Sequence, residues 1–174
     1  MNRTPPEILV CSEGTRVCIR IRGRADVSVS VAFKELLSGL RKRRFDHYEL
    51  ELSDCKLMDS TFLGVLCGFA QQCEKALSEA DHRPILFNAN DRVAGLLSNL
   101  GVDEMFEFRH GSPVDKGPCV PVPADTATVS REDLKTTSLQ AHKTLMSLNP
   151  DNIPKFKDLT EFLADDLKKL RSNT

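Results

Sequence analysis

The 174-residue chain contains no tryptophan, one tyrosine and no excess of either charge. With 24 basic and 25 acidic residues its formal net charge is −1, which gives no general attraction to nucleic acid or to an anionic membrane. It has no apolar run long enough to cross a bilayer, and its first ten residues lack the apolar stretch of a signal peptide. We therefore expect a cytoplasmic protein with no membrane span and no direct contact with nucleic acid.

Motifs that carry catalysis or bind metals are also missing. There is no glycine-rich phosphate loop, H-E-x-x-H, G-x-S-x-G or EF-hand loop. The six cysteines form no C-x-x-C pair and show no zinc-ligand spacing with the four histidines. We interpret the cysteines as reduced, with Cys18 and Cys73 packed in the core, and the histidines as surface residues. The prediction is a protein that is not an enzyme, with no catalytic residue, metal or cofactor.

What the chain does contain is a regular alternation of strand and helix patterns. Val17, Ile19 and Ile21 alternate with arginines in a predicted strand, which Gly23 ends, and a Glu-Gly-Thr turn joins it to the strand before. The predicted order is β-β-α-β-α-β-α-β, over residues 8–11, 16–22, 30–43, 47–53, 62–80, 85–90, 91–100 and 105–108. This order predicts an α/β fold in which a small mixed sheet carries its helices on one face.

Beyond residue 110 the composition changes. Residues 111–129 are rich in proline, glycine, serine and threonine without a period, which predicts a linker between a domain at 1–110 and an extension at 130–174. The extension shows two amphipathic helices, the first capped by Ser130 and stopped at Asn149-Pro150. Such a helical hairpin is too small to be stable alone. We therefore expect it to pack on the main domain or to contact a further partner or a second copy.

The stretch KLMDSTFLG, at 56–64, joins a predicted strand to a long helix. Asp59 or Ser60 can cap that helix, which is the ordinary role of such residues. A phosphate on a hydroxyl here would be tolerated by the positive helix end and would add about two negative charges to the surrounding surface. Gly64 would let another backbone or side chain come near. The junction is therefore either a simple cap or a place where modification changes partner binding.

The same residues resemble the STAS domain of bacterial anti-sigma-factor antagonists. The family motif is approximately D-S-[ST]-G-L-G, and Asp59, Ser60, Thr61, Leu63 and Gly64 match it in order. The resemblance extends to Gly23-Arg24-Ala25-Asp26 after the second strand and to the leucine–glycine run at 100–106. It covers residues 5–109, so the C-terminal helices take no assignment from it.

The resemblance implies a partner-switching function. Such proteins bind an anti-sigma factor that is a GHKL-type serine-threonine kinase, and the kinase ends binding by phosphorylating the hydroxyl after Asp-Ser. Carried onto this chain, the phosphorylated residue is Thr61, expected to be exposed, with Ser60 as the alternative and the helix cap. The implied partner-binding residues are Asp26, Asp59, Ser60, Thr61, Phe62 and Gly64.

One position departs from the motif. Phe62 stands where the family has glycine, either as an exposed partner anchor or as a core residue. We favour the core because residues 62, 66, 69 and 73 share one helical face.

Two further functions stay open. The chain could be a non-switching scaffold subunit of a larger complex, such as a lipid-transport ATPase or a stress-signalling assembly, and its tail helices favour an extra contact of this kind. The binding of a small molecule or a nucleotide is less favoured, because the chain has no phosphate-cradling loop.

Overall fold

A computed structural model describes residues 5–76, 82–113, 117–124 and 128–173. Its strands are β1 (Glu7–Glu13), β2 (Arg16–Ala25), β3 (His47–Glu51), β4 (Cys55–Met58), β5 (Ile85–Phe87), β6 (Glu107–Arg109) and β7 (Cys119–Pro121). Its α-helices are α1 (Val27–Lys42), α2 (Ser60–Ala76), α3 (Asp91–Asn99), α4 (Arg131–Leu148) and α5 (Ile153–Ser172). Short 3₁₀ helices occupy Asp103–Met105 and Pro150–Asn152.

The strands of the described residues form one mixed sheet in the order β6-β5-β3-β2-β1-β7, and β4 pairs with the far end of β2. The β1–β2 hairpin is antiparallel, whereas β3, β4, β5 and β6 join in parallel pairings. The predicted class, a mixed α/β sheet with a C-terminal helical extension, is confirmed. No helix in the described ranges is both long and apolar enough to cross a membrane.

The core lies between the sheet and the helices. Val17, Ile19 and Ile21 are buried on β2, as their alternation predicts. Phe33 of α1 and Phe62 of α2 stack with ring centroids 4.1 Å apart. This stack fixes the two helices against each other, and both helices begin at the same edge of the sheet, where β2 and β4 end.

Strand β2 runs beyond Gly23, which was predicted to end it. The pairing with β4 shifts register between Gly23 and Arg24, and Gly23 has a positive φ of 76° that a residue with a side chain rarely adopts. The strand therefore bulges and continues to Ala25. The bulge brings the β2–α1 connection beside the β4–α2 connection, which builds the site described below.

The segment predicted as a linker contains a strand. In the structure β7 pairs antiparallel with β1, and Cys11 and Cys119 form a disulfide across that pair. The prediction of reduced cysteines is wrong for these two residues. Strand β7 has three residues, one of them a proline, so it shows too little alternation to be predicted as a strand. The two cysteines that link it to β1 are also 108 positions apart in the sequence.

The C-terminal helices form a hairpin that packs on the main domain, with α4 against α1 and α2. Ser130 caps α4, since its hydroxyl accepts a hydrogen bond from the Asp133 amide at 3.0 Å. Lys135 pairs with Asp166, and Arg171 pairs with Glu132 at 2.7 Å, so charged side chains join α4 to α5. The hairpin therefore packs on the main domain, which is the first of the predicted docking places.

Candidate functional site

The junction site, defined as Asp59, Ser60 and Thr61, lies where β4 enters α2, and the Asp59 carboxylate holds it together. Its Oδ1 accepts a hydrogen bond from the Phe62 amide at 2.8 Å, and its Oδ2 accepts one from the Val27 amide at 2.8 Å. One carboxylate therefore caps α2 and also binds the first residue of α1. The prediction that Ser60 is the cap is wrong, because Asp59 fills that position.

Asp26 forms the second half of the same edge. Its Oδ1 accepts a hydrogen bond from the Ser28 amide at 3.0 Å and so caps α1. Burial raises the pKa of Asp59, the amides of Phe62 and Val27 lower it, and the nearby Asp26 carboxylate raises it. Two carboxylates beside two helix N-termini are stabilised by the positive ends of both helices.

Ser60 contacts a histidine of the C-terminal extension. The Ser60 hydroxyl lies 2.8 Å from Nε2 of His142, and Nδ1 of His142 lies 2.7 Å from the Ser138 carbonyl oxygen. With the proton on Nδ1, the ring donates to that carbonyl and Nε2 accepts from Ser60. His142 is 2% exposed, so its prediction as a surface residue is wrong, and burial lowers its pKa.

A hydroxyl beside an imidazole suggests a nucleophile and its general base, but the surroundings differ from such a pair. The second nitrogen of His142 faces a backbone carbonyl rather than a carboxylate. Helix α4 also packs against α2 one turn further on, where its backbone leaves no room for a Cβ atom at Gly64. The geometry is that of a polar contact between two packed helices.

Thr61 lies beneath α4. Its Oγ1 is 3.2 Å from Oγ of Ser138, and the residue is 5% exposed. The expectation of an exposed Thr61 is therefore wrong for this conformation, and the reason is tertiary. Without α4 the start of α2 would face solvent. The sequence of residues 56–64 alone does not show that another helix packs over the start of α2.

Gly64 marks the point where α4 crosses α2. A Cβ atom at Gly64 would lie 2.5 Å from the carbonyl oxygen and 2.7 Å from the Cβ of Ala141, closer than packed atoms allow. The predicted close approach of another backbone is confirmed, and that backbone belongs to the same chain. Phe62 points away from this face and is 0% exposed, so its interpretation as a core residue is confirmed and the exposed-anchor alternative is wrong.

The structure thus brings Asp26, Asp59, Ser60, Thr61 and Gly64 to one face and turns Phe62 into the core. Sequence reasoning missed Ser138 and His142. Both residues lie on the same face of α4 as Ala141 and Leu145. Their helical spacing from these two residues is the one sequence feature from which their burial could have been predicted.

The thiols of Cys55, Cys67 and Cys73 are not reactive. Burial raises the pKa of Cys55 to about 11, that of Cys67 to about 12 and that of Cys73 to about 11, so these thiols stay protonated at neutral pH. The packing of Cys18 and Cys73 in the core is confirmed. Within the part of the chain that the structure describes, no three histidine, cysteine or acidic side chains are placed to hold a metal ion.

Comparisons with known proteins agree with this fold. Solved structures similar to this chain include the crystal structure of a proposed anti-sigma factor antagonist, TM1081 of Thermotoga maritima, with 17% identity, a TM-score of 0.50 and coverage of 59% of this chain and 85% of that one. The NMR structure of TM1081 gives 18% identity, a TM-score of 0.51 and coverage of 58% and 78%. At such identities the likeness concerns the fold alone.

A third solved structure is also similar. It is the phosphorylated form of the Bacillus cell fate determinant SpoIIAA, with 17% identity, a TM-score of 0.48 and coverage of 59% of this chain and 90% of that one. No curated protein sequence matches the chain.

The family comparison is decisive for the main domain. Residues 8–107 match the family model described as "Mlab, STAS domain", which covers more than half of the 174 residues and leaves α4 and α5 outside the match. This protein therefore belongs to the STAS domain family.

Proposed function

We propose that the protein is a cytoplasmic anti-sigma-factor antagonist. Its STAS domain binds an anti-sigma factor of the GHKL-type serine-threonine kinase class through Asp26, Asp59, Ser60, Thr61 and Gly64. The observation that supports this most directly is the crossing at Gly64, where a helix backbone approaches α2 with no room for a Cβ atom. A face that accommodates a helix at this distance is suited to protein binding.

Phosphorylation of Thr61 ends the binding. The Thr61 hydroxyl lies in the first turn of α2, where the positive end of the helix dipole stabilises a negative group. A helix that packs within 3.2 Å of this oxygen leaves no space for a phosphate. The modification is therefore tolerated by the STAS domain itself and is incompatible with a bound helix.

Asp59 maintains the geometry of the site. Both of its oxygens accept hydrogen bonds from backbone amides, which compensate its charge and fix the positions of α1 and α2. Its role is to position the Thr61 hydroxyl. Ser60 is the alternative phosphorylation site, because its hydroxyl starts the same helix.

The test is phosphosite mapping by mass spectrometry of the protein purified from its own cells, with binding assayed against the partner that co-purifies. Thr61→Ala should bind and carry no phosphate at the junction site, whereas Thr61→Glu should bind more weakly because a charge enters an interface fitted to a neutral hydroxyl. Ser60→Ala is the matched control and should keep phosphate on Thr61. Phosphate on Ser60 alone would identify Ser60, rather than Thr61, as the phosphorylated residue. No phosphate, together with wild-type binding by Thr61→Glu, would contradict the proposal.

A scaffold subunit is the second candidate, and one observation favours it. Leu159 and Phe162 lie one turn apart on α5 and are exposed, Phe162 by 66%. Exposed apolar side chains on a helix suit a lasting protein contact. A stable complex that survives Thr61→Glu and depends on Phe162 would support this candidate over the switch.

A further inference from the structure

We propose that α4 is a ligand in cis of the STAS surface, and that an external partner binds only by displacing it with a helix that carries a small residue over Gly64. This inference rests on the proposed function, because it treats the face around Thr61 as the partner-binding surface. It adds the chemical character of the partner and assigns a role to residues 130–174, which lie outside the STAS family match.

The part of α4 that covers the site makes polar contacts. The cover, defined as residues 131–142, meets the domain through Ser60 with His142, Thr61 with Ser138, and Lys34 with Gln140. Each of these side chains can instead bond to water or to another polar helix, so loss of the contact leaves no group unpaired. A polar face of this kind is suited to exchange of occupants.

The other end of the hairpin is fastened differently. The anchor, defined as residues 145–156, holds the end of α3. Asn152 Nδ2 donates to the carbonyls of Leu100 at 2.9 Å and Leu145 at 3.0 Å, and Lys155 Nζ donates to the Asn99 carbonyl at 2.8 Å. Asn152 and Leu145 are fully buried. The anchor therefore keeps the cover at high effective concentration when the cover leaves its site.

The close crossing of α2 and α4 at Gly64 limits which helices can bind this surface. The Ala141 carbonyl and Cβ occupy the space that a side chain at Gly64 would need, so the occupant must itself be small at that point. Small residues at a helix crossing allow the two backbones to approach closely. An external partner is thus expected to bring a helix with glycine, alanine or serine at the crossing point and polar groups toward Ser60 and Thr61.

Covering and phosphorylation exclude each other. While the cover is docked, the Thr61 hydroxyl faces Ser138 and a kinase cannot reach it. A phosphate on Thr61 in turn prevents the cover from docking. By reciprocity, a phosphate on Thr61 weakens the docking of α4 by the same free energy by which docked α4 disfavours the phosphorylated form.

Hydrogen exchange of the full-length protein, measured by mass spectrometry, tests the inference with a matched pair of variants. Gly64→Ala and Gly68→Ala make the same change one turn apart in α2, and alanine is the better helix former at both positions. The new Cβ collides with α4 at Gly64, whereas at Gly68 it makes an ordinary 3.8 Å contact with Thr144.

We expect Gly64→Ala to speed exchange in the cover at least tenfold while exchange in β2 and β3 stays unchanged, and Gly68→Ala to leave both at the wild-type rate. The wild-type cover should itself exchange faster than the sheet, since it opens locally. The proposal is overturned if Gly64→Ala leaves the cover protected, if cover and sheet exchange together, or if the variant does not fold. No kinase or phosphate takes part, so the result does not depend on whether Thr61 is phosphorylated.

Discussion

Single side chains decide the geometry of this site, and Asp59 is the first of them. Its two oxygens cap α2 and bind the start of α1. The sequence motif identified the aspartate, but it could not assign the cap to Asp59 rather than Ser60. The choice depends on which side chain faces the Phe62 amide, and that orientation is set by the β2–β4 pairing rather than by the local sequence.

Asp59→Ala should therefore lower the free energy of unfolding by about 1–2 kcal/mol, the usual value of a helix cap. Ser60→Ala is the control, because Ser60 caps nothing and loses only its contact with His142. Urea unfolding of both variants measures the difference. An equal or larger loss for Ser60→Ala would show that the cap has been assigned to the wrong residue.

Phe62 is a core residue, and its substitution should be costly. Phe62→Ala removes a fully buried ring that stacks on Phe33, and we expect unfolding to become easier by about 3–5 kcal/mol. Phe162→Ala removes a ring from an exposed position of α5 and should change stability by less than about 1 kcal/mol. Thermal melts of the two variants should differ clearly. Similar melting temperatures would contradict the packing described here.

His142 makes docking of α4 depend on pH. Burial lowers its pKa, so the docked form resists protonation while the undocked imidazole takes up a proton near its ordinary pKa of 6.5. Docking is therefore strongest above about pH 6.5 and weakens as pH falls below it, by at most about 1.4 kcal/mol per pH unit.

The matching control is His142→Gln, which keeps a polar group and removes the titration. Asp59, whose raised pKa acts with the opposite sign at lower pH, is coupled to His142, because His142 lowers the pKa of Asp59 and Asp59 raises the pKa of His142; the comparison therefore measures the effect of His142 together with this coupling. Exchange rates of the cover between pH 5 and 8, corrected for intrinsic exchange, should diverge only below pH 6.5. Parallel profiles would rule out His142 as the cause.

Elements with a strong period were predictable, whereas two of the short strands, β4 and β7, were not. The β1–β2 hairpin and the long helices follow from alternation, helical spacing and caps such as Ser130. The strands β4 and β7 have four and three residues, and pairing with distant strands fixes both. Such short strands form because a strand already in the sheet has backbone groups free to pair with them, and this depends on the assembled sheet rather than on their own sequence.

The strand β7 also carries the Cys11–Cys119 disulfide, and its removal should be measurable. Closing a loop of 108 residues limits the unfolded chain, so Cys119→Ser should lower stability by up to about 4 kcal/mol under oxidising conditions. The same substitution should change little once a reductant is present. Thermal melts with and without reductant test this, and a loss of equal size in both conditions would point to packing at β7 instead.

The C-terminal extension explains why the sequence predicts an exposed junction site whereas the structure shows a covered one. The motif lies in α2, its cover lies in α4, and about seventy residues separate them. The amphipathic pattern of α4 predicted that it must pack on something. The pattern does not indicate which surface α4 packs on, because the small and polar residues at the crossing could pack against many helices.

The most direct test of the account is the fraction of Thr61 that carries phosphate in growing cells, compared between wild type and Ala141→Arg. The arginine cannot fit over Gly64, so the cover should leave while the STAS surface itself stays unaltered. We expect the phosphorylated fraction of Thr61 to rise severalfold in Ala141→Arg, with no change in the mass of peptides elsewhere in the main domain. If Thr61 stays unmodified in both proteins, the proposal that Thr61 is a phosphorylation switch is contradicted. If the phosphorylated fraction is above zero and equal in both, the proposal that α4 protects Thr61 is contradicted.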